Sequence, residues 1–519
     1  MNQSGRSGSQ EPDQNLYTLL ASRVSGKSDR IFLDQPGFPP RSYGDMLTQA
    51  SRLLHRLRQR GVEPGDRVIV QVEKSEMAIA LYLACLAAGA IFIPLNTAYT
   101  RSELAYFLDD AQPRLAVVAP GLHATMAGLV EERAETGLDV MDAGGEGSLA
   151  DGLDTLPAYA ETTPAAAEDV ACILYTSGTT GQPKGAMLTH GNLAAGALSL
   201  EAAWEWRDDD VLIHALPIFH VHGLFVALHC AMLGGSKVYF LPGFDAGRII
   251  EKMPSATVLM GVPTFYTRLL DHPGLDRSTC RNMRLFISGS APLLPETFNE
   301  WERRTGHRIL ERYGMTETNM NLSNPLHGER RPGSVGFPLP GVEARIIGED
   351  GKPVVDGEIG SLQVRGPNVF PGYWRKPEKS LEEFTEDGYF ITGDLASRDP
   401  QSGHYAIVGR AKDLIITGGY NVYPKEVEVV IDDIPGVRES AVIGVPDPDL
   451  GEVVTAVVVT SDTDRSPAPD EIIAGAEEHL ARYKVPRRVH VVSELPRNAM
   501  GKVQKNRLRE RFGPSPGDA

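Results

Sequence analysis

Cysteine is scarce in this chain of 519 residues: Cys85, Cys172, Cys230 and Cys280 lie scattered, with no CxxC pair. That pattern excludes a zinc ribbon and a disulfide framework, and it points to small core residues in a reducing compartment. No apolar run approaches the ~20 residues needed to span a bilayer. The opening "MNQSGRSGSQEPDQ" lacks the apolar centre of a secretory signal and reads as a disordered polar tail over residues 1–14. Positive charge is also in deficit: 51 Lys and Arg face 68 Asp and Glu, a formal net charge of −17. A nucleic-acid binder would carry a basic domain or stripe, so that class is excluded. Anionic small molecules stay open, because local basic clusters matter more than the total. Internal repeats and coiled-coil heptads are absent. The expectation is a soluble, cytoplasmic protein that acts on small molecules, with no nucleic-acid or membrane partner.

What the chain does contain is the alternation of an α/β protein. From about residue 15 to 410, helical and strand patterns follow one another, which predicts parallel α/β layers. "RSYGDMLTQASRLLHRLRQRG" has apolar residues at helical spacing and stops at Gly61. "DRVIVQV" reads as a strand, "EMAIALYLACLAAGA" as a buried helix and "IFIPLN" as another strand. Between 335 and 410, short strands broken by Asp-Gly and Pro-Gly turns predict a small β-rich subdomain. After "GRAKD" a compact α/β unit is expected, with strands "SAVIGV", "VVTAVVV" and "RVHVV". The division is a large domain over 15–411, a small one over 412–513 and a tail over 514–519.

The apolar run "DVACILY" leads into "TSGTTGQPKG". Five hydroxyl-bearing residues fall within the six positions from Tyr175 to Thr180, and Lys184 follows. Glycines let backbone N–H groups turn toward a ligand, hydroxyls add donors and the lysine adds charge, so the segment reads as an anion holder. It is not a Walker A loop, because Gly178 and Gly181 are three apart and Lys184 is followed by Gly185. Ser177 does not sit in GxSxG, which disfavours a hydrolase elbow. The bland alternative is a Gly-rich turn joining strand and helix, and the density of hydroxyls argues against it.

Four more segments follow in order: "ERYGMTET" (Glu311 to Thr318), "GYFITGD" (Gly388 to Asp394), "GRAKDLIITGGYNVYPKEVE" (Gly409 to Glu428) and "LPRNAMGKVQK" (Leu495 to Lys505). With them the chain resembles the adenylate-forming superfamily of acyl-CoA synthetases, luciferases and adenylation domains, over about residues 15 to 512. The resemblance implies a large N-terminal AMP-binding domain and a small mobile C-terminal lid. It also implies a two-step reaction, in which a carboxylate attacks the α-phosphate of ATP and a thiol, here CoA, then displaces AMP.

Site roles are carried over by position. Thr176, Ser177, Gly178, Thr179, Thr180 and Lys184 would neutralise the departing pyrophosphate. Ser288, Gly289, Ser290 and Ala291, with Glu311, Tyr313, Gly314, Met315 and Thr316, would frame the nucleotide, and Met315 would border the acyl group. Glu317 resembles the glutamate linked to Mg2+, an ion that takes oxygen ligands. Asp394 resembles the ribose-binding aspartate, and Arg410 the arginine that touches ribose or phosphate. Lys502 would bridge the carboxylate and α-phosphate oxygens, in a region, 481–512, where ten Lys and Arg outnumber two Asp and Glu. Lys412 resembles a hinge, beyond which Gly418, Gly419 and Tyr420 would face a CoA channel. His220 resembles a residue that gates access of the carboxylate or thiol, and Thr176, His220, Glu317 and Lys502 form the expected catalytic set.

The identity of the acid is less legible. "VLMGVPTFYTRLL" sets Arg268 in apolar surroundings one turn after Thr264. A buried arginine needs a partner, which a second substrate carboxylate would supply; a rim arginine whose stem covers apolar surface is the even alternative. "ALPIFHVHGLF", "LFISGSAPLL" and "ERYGMTETNMNLSNP" look closer to malonyl-CoA synthetases than to acetyl or fatty-acyl relatives. The resemblance therefore implies malonate or methylmalonate, with Arg268 first and Arg284 second for the distal carboxylate. His220 and His222 lack a third ligand nearby, which favours a pocket role over a metal pair. Other readings are an acyl-CoA synthetase for short or medium chains, a free-standing carrier-loading enzyme, and a noncatalytic nucleotide-binding protein.

Overall fold

The computed structural model describes residues 13–177, 183–447, 449–461, 466–498 and 501–513. Residues 13 and 14 of the expected tail are tied down: the Gln14 amide donates to the Ala165 carbonyl at 2.9 Å, and the Asp13 carboxylate accepts from the amides of Asn15 and Ala165. The rest of that tail, the tail over 514–519, and Gly178, Thr179 and Thr180 lie outside the described residues.

Two sheets make up the α/β layers of the large domain. The six-stranded sheet runs Gly137–Val140, Leu115–Val118, Arg67–Gln71, Ile91–Pro94, Val170–Ser177, Pro183–Thr189, parallel except for the last pair. In the nine-stranded sheet the parallel core is Ile31–Asp34, Lys237–Phe240, Val211–His214, Val258–Gly261, Leu285–Ser288 and Leu310–Tyr313. Helix Glu76–Ala88 is apolar on every side and is buried along its whole length. Ser75 caps its start, and Gly89, at φ +67°, ends it in the left-handed conformation that costs glycine little.

The anion-holding segment does not join a strand to a helix, as its bland alternative would have it. Strands Val170–Ser177 and Pro183–Thr189 form an antiparallel pair in which Ser177 faces Pro183, so the segment closes a hairpin. Helix His190–Ala203 begins only after the second strand. Lys184 is thereby fixed opposite Thr176, with both side chains brought to one place by register.

A four-stranded antiparallel sheet, Glu343–Ile347, Gly360–Arg365, Phe390–Arg398 and Tyr405–Arg410, forms the β-rich part. The turn Ala411–Asp413 then carries Lys412, exposed, into the last unit. That unit packs the long pair Val437–Asp447 and Gly451–Thr460, strand Arg488–Val492 and hairpin Ile415–Thr417/Tyr420–Val422 against helices Pro424–Asp432, Pro469–Glu477 and Lys505–Phe512. It buries two apolar clusters of its own. All four cysteines are buried; burial pushes the thiols of Cys85, Cys172 and Cys230 up, and that of Cys280 to about 12. Among the described residues no helix is long and apolar enough to cross a membrane.

Candidate active site

Parallel strands send their C-terminal ends to one edge, where open α/β sheets bind ligands. Here that edge collects His214, Gly261, Ser288 and the segment Glu311–Tyr313, with the loops that follow each. The β-rich sheet adds Asp394 from strand Phe390–Arg398 and Arg410 from the facing strand, paired across the register. Arg410 Nε lies 2.7 Å from Asp394 Oδ1, and the Tyr313 hydroxyl donates to Asp394 Oδ2. One carboxylate is thus held by a cation and a phenol, with lone pairs left for vicinal hydroxyls. Burial of Arg410, overcome by the charge of Asp394, leaves its guanidinium pKa raised.

Behind this pair lies a chain of oxygen ligands and one ammonium. Thr176 Oγ1 lies 3.4 Å from Glu317 Oε1, and the Tyr373 hydroxyl lies 3.1 Å from the same oxygen. That hydroxyl also donates to Glu383 Oε2 at 2.7 Å, while Glu383 Oε1 pairs with Lys184 Nζ at 2.7 Å. The Lys184 ammonium stands 4.0 Å from the centre of the Tyr373 ring. Glu317 is buried, and burial raises its carboxyl pKa. Tyr373 and Glu383 lie far along the sequence from Lys184 and Glu317; "GPNVFPGYWRKPEK", which holds Tyr373, also looks like the malonyl-CoA synthetases, but sequence reasoning assigned neither residue a role.

Lys502 arrives from the small unit. Its turn rests on helix Pro263–Leu270: a Cβ at Gly501 would sit 3.2 Å from Thr264 Oγ1. The Lys502 side chain keeps contact with solvent at the mouth of the cleft. Desolvation and the neighbouring charge of Arg410 lower its pKa, against Asp394 and Glu317, which raise it. Burial and the Lys502 charge bring the His220 pKa down to about 4, so that imidazole is neutral at pH 7. Lys502, His220, Arg410, Asp394, Glu317 and Thr176 therefore belong to one constellation.

Beside Ser290 and His222 lies a residue that sequence reasoning passed over. Arg312 is only 3% exposed, and its Nε and Nη2 have no hydrogen-bond partner among the described residues. Burial lowers its pKa to about 10, so the guanidinium stays charged at pH 7. Space for it exists because residue 289 is glycine; a Cβ there would lie 2.4 Å from Arg312 Cζ. Next to it, Ser290 is held at φ +71°, a strained backbone for a serine, and its hydroxyl lies 3.2 Å from His222 Nδ1. His222 is also buried, with Nε2 unpartnered among the described residues. A buried, unpaired guanidinium is costly unless a ligand completes it.

The two arginines expected to meet the distal carboxylate are placed differently. Arg268 is exposed, because Phe265, Tyr266 and Leu269 take the buried face of helix Pro263–Leu270; its guanidinium lies 5.7 Å from the centre of the Phe244 ring. It behaves as the rim residue of the alternative reading. Arg284 precedes the N-terminal end of strand Leu285–Ser288, opposite to the ligand edge, and forks onto buried Asp210 at 2.7 and 2.5 Å. Its guanidinium is satisfied there and does not reach the cleft. Glu311 accepts through Oε1 from the Leu293 amide at 3.0 Å, which ties down the end of the loop after strand Leu285–Ser288. Burial lifts its pKa to about 8. Gly418 and Gly419, at φ +56° and +83°, form the exposed tip of the hairpin whose second strand begins at Tyr420.

Residues 20–374 match the family described as AMP-binding enzyme, and residues 426–502 match the AMP-binding enzyme C-terminal domain. The chain is 38% identical to a mitochondrial malonate–CoA ligase of Mus musculus, over 95% of this chain and 90% of that one. It is 36% identical to a feruloyl-CoA synthase of Amycolatopsis sp, over 91% and 94% of the two chains. Among solved structures it is similar to ATP-bound MatB from Rhodopseudomonas palustris, with a TM-score of 0.94 and 50% identity over 96% and 99% of the chains.

Proposed function

Since the chain belongs to the AMP-binding enzyme family, we propose that it is an AMP-forming acid–thiol ligase joining malonate, or methylmalonate, to CoA through an acyl-adenylate. The observation that carries the choice of acid is Arg312, a buried cation with free donors in the acyl side of the cleft. A fatty-acid pocket has no use for such a group, whereas a dicarboxylate leaves one carboxylate to pair with it.

Each remaining group then has work to do. Asp394 and Arg410 hold the ribose, and Thr176, Ser177 and Lys184 take the charge of the leaving pyrophosphate. Lys502 stabilises the oxygens where the near carboxylate meets the α-phosphate, as a preorganised charge in a low-dielectric cleft. Neutral His220 lines the approach of the carboxylate or thiol without adding a second repelling charge. Glu317 and Thr176 offer hard oxygens suited to Mg2+, which keeps few protein ligands and would neutralise phosphate charge there. Lys412 is the hinge that lets the small domain exchange Lys502 for the hairpin at Gly418, Gly419 and Tyr420 when CoA enters.

The experiment is malonate-dependent exchange of pyrophosphate into ATP, with AMP release measured with and without CoA. Malonate is expected to support exchange and CoA to be required for AMP release. Faster exchange with acetate, octanoate or ferulate than with malonate would remove the dicarboxylate reading.

A further inference from the structure

One half-buried lysine outside the groups given a role above spends its donors on a histidine rather than on a carboxylate. Lys74 lies in the loop between strand Arg67–Gln71 and helix Glu76–Ala88, and its side chain crosses from the six-stranded sheet to the nine-stranded one. There Nζ is 2.8 Å from His214 Nδ1, 3.0 Å from the His214 carbonyl oxygen and 4.5 Å from the centre of the Phe240 ring. The other ring nitrogen, Nε2, is 2.9 Å from the Gly223 carbonyl oxygen. A carbonyl only accepts, so Nε2 carries the proton; Nδ1 then holds a lone pair and Lys74 is its donor. Gly223 belongs to the π-helical turn His222–Ala227, a form that recurs at functional sites. This turn is pressed against the preceding segment, since a Cβ at Gly223 would lie 2.0 Å from the Pro217 carbonyl oxygen. It is also the turn that presents His222 to Ser290.

We propose that Lys74 is a positioning residue of the acyl pocket. By donating to His214 it fixes the tautomer whose Nε2–H grips the Gly223 carbonyl, and so sets His222 beside Ser290 and Arg312. The inference rests on the malonate reading above. Lys74 itself touches no substrate and acts through His214 and the π-helical turn.

The test uses the full chain with Lys74→Met, Lys74→Arg and His214→Phe. Malonate and ATP are varied separately in the exchange assay, thermal unfolding is recorded, and the side-chain nitrogens of histidine are followed by NMR. Lys74→Met is expected to raise the malonate KM ten-fold or more while the ATP KM stays within two-fold. The His214 resonances should leave the Nε2–H pattern. His214→Phe should share the malonate defect, and Lys74→Arg should recover most of it. A malonate KM within two-fold of wild type in Lys74→Met would overturn the proposal. So would equal losses for malonate and ATP with a lowered unfolding temperature, the mark of a merely structural role. If wild type itself shows no exchange with malonate, the substrate reading falls instead; the His214 tautomer in wild type and Lys74→Met then decides the claim for Lys74.

Discussion

On the proposed reading, Arg312 concentrates the cost and the specificity of the cleft in one side chain. Replacing even a buried ion pair by apolar groups of similar volume is often neutral or stabilising by about 1–4 kcal/mol, and a lone buried ion has no partner to offset its desolvation. Arg312→Met is therefore expected to keep or raise the unfolding temperature while the malonate KM rises by two orders of magnitude and preference over acetate is lost. A variant that unfolds earlier yet keeps its preference would assign Arg312 to the fold instead. Lys502 makes the complementary case: Lys502→Ala should abolish pyrophosphate exchange yet still form thioester from supplied malonyl-adenylate and CoA. Lys502, Asp394, Arg410 and Glu317 were legible because each sits in a short motif whose neighbours are fixed along the chain. Arg312 lies inside such a motif and was still missed, because the space for it depends on Gly289, in the loop after another strand. Arg284, the second choice for the distal carboxylate, instead opens the strand Leu285–Ser288 at the end away from the ligand edge and spends its donors on Asp210.

At the scale of elements, sequence periodicity located strands and helices well, and long-range register decided what they present. The helix Glu76–Ala88 was readable because it is apolar all round; the hairpin around the anion-holding segment was not, because antiparallel pairing with Pro183–Thr189 is non-local. The turn His222–Ala227 gives a second test. Gly223→Ala should cost about 1–3 kcal/mol, the usual range for overpacking, measured by denaturant unfolding. Helix Pro424–Asp432 gives a third. Burial raises the Asp432 carboxyl to about 7, with nearby Glu428 and Glu296 adding to the rise, and Ser440 and Lys425 opposing it. Between its ordinary value near 3.8 and about 7 the folded chain binds the extra proton, so this group's contribution to stability falls as pH rises through that window and is flat above it. Asp432→Asn should shrink the difference in denaturation midpoint between pH 5 and pH 8; an unchanged difference would place the effect elsewhere.

The whole molecule divides its chemistry between two bodies of unequal size. Of the residues proposed to hold nucleotide and acid, Lys502 comes from the small domain, beside Gly501, which packs against Thr264 of the large one. A motion between the two is thus the natural quantity to observe, and the cysteines decide how easily it can be. With all four thiols buried and their pKa pushed up, the folded chain presents almost no thiolate to solvent. A colorimetric thiol reagent should therefore count none of them under native conditions and all of them in denaturant. Single cysteines placed on the surface of each domain could then carry a donor and an acceptor dye without removal of any native residue, and energy transfer would follow the distance between the domains through each half-reaction.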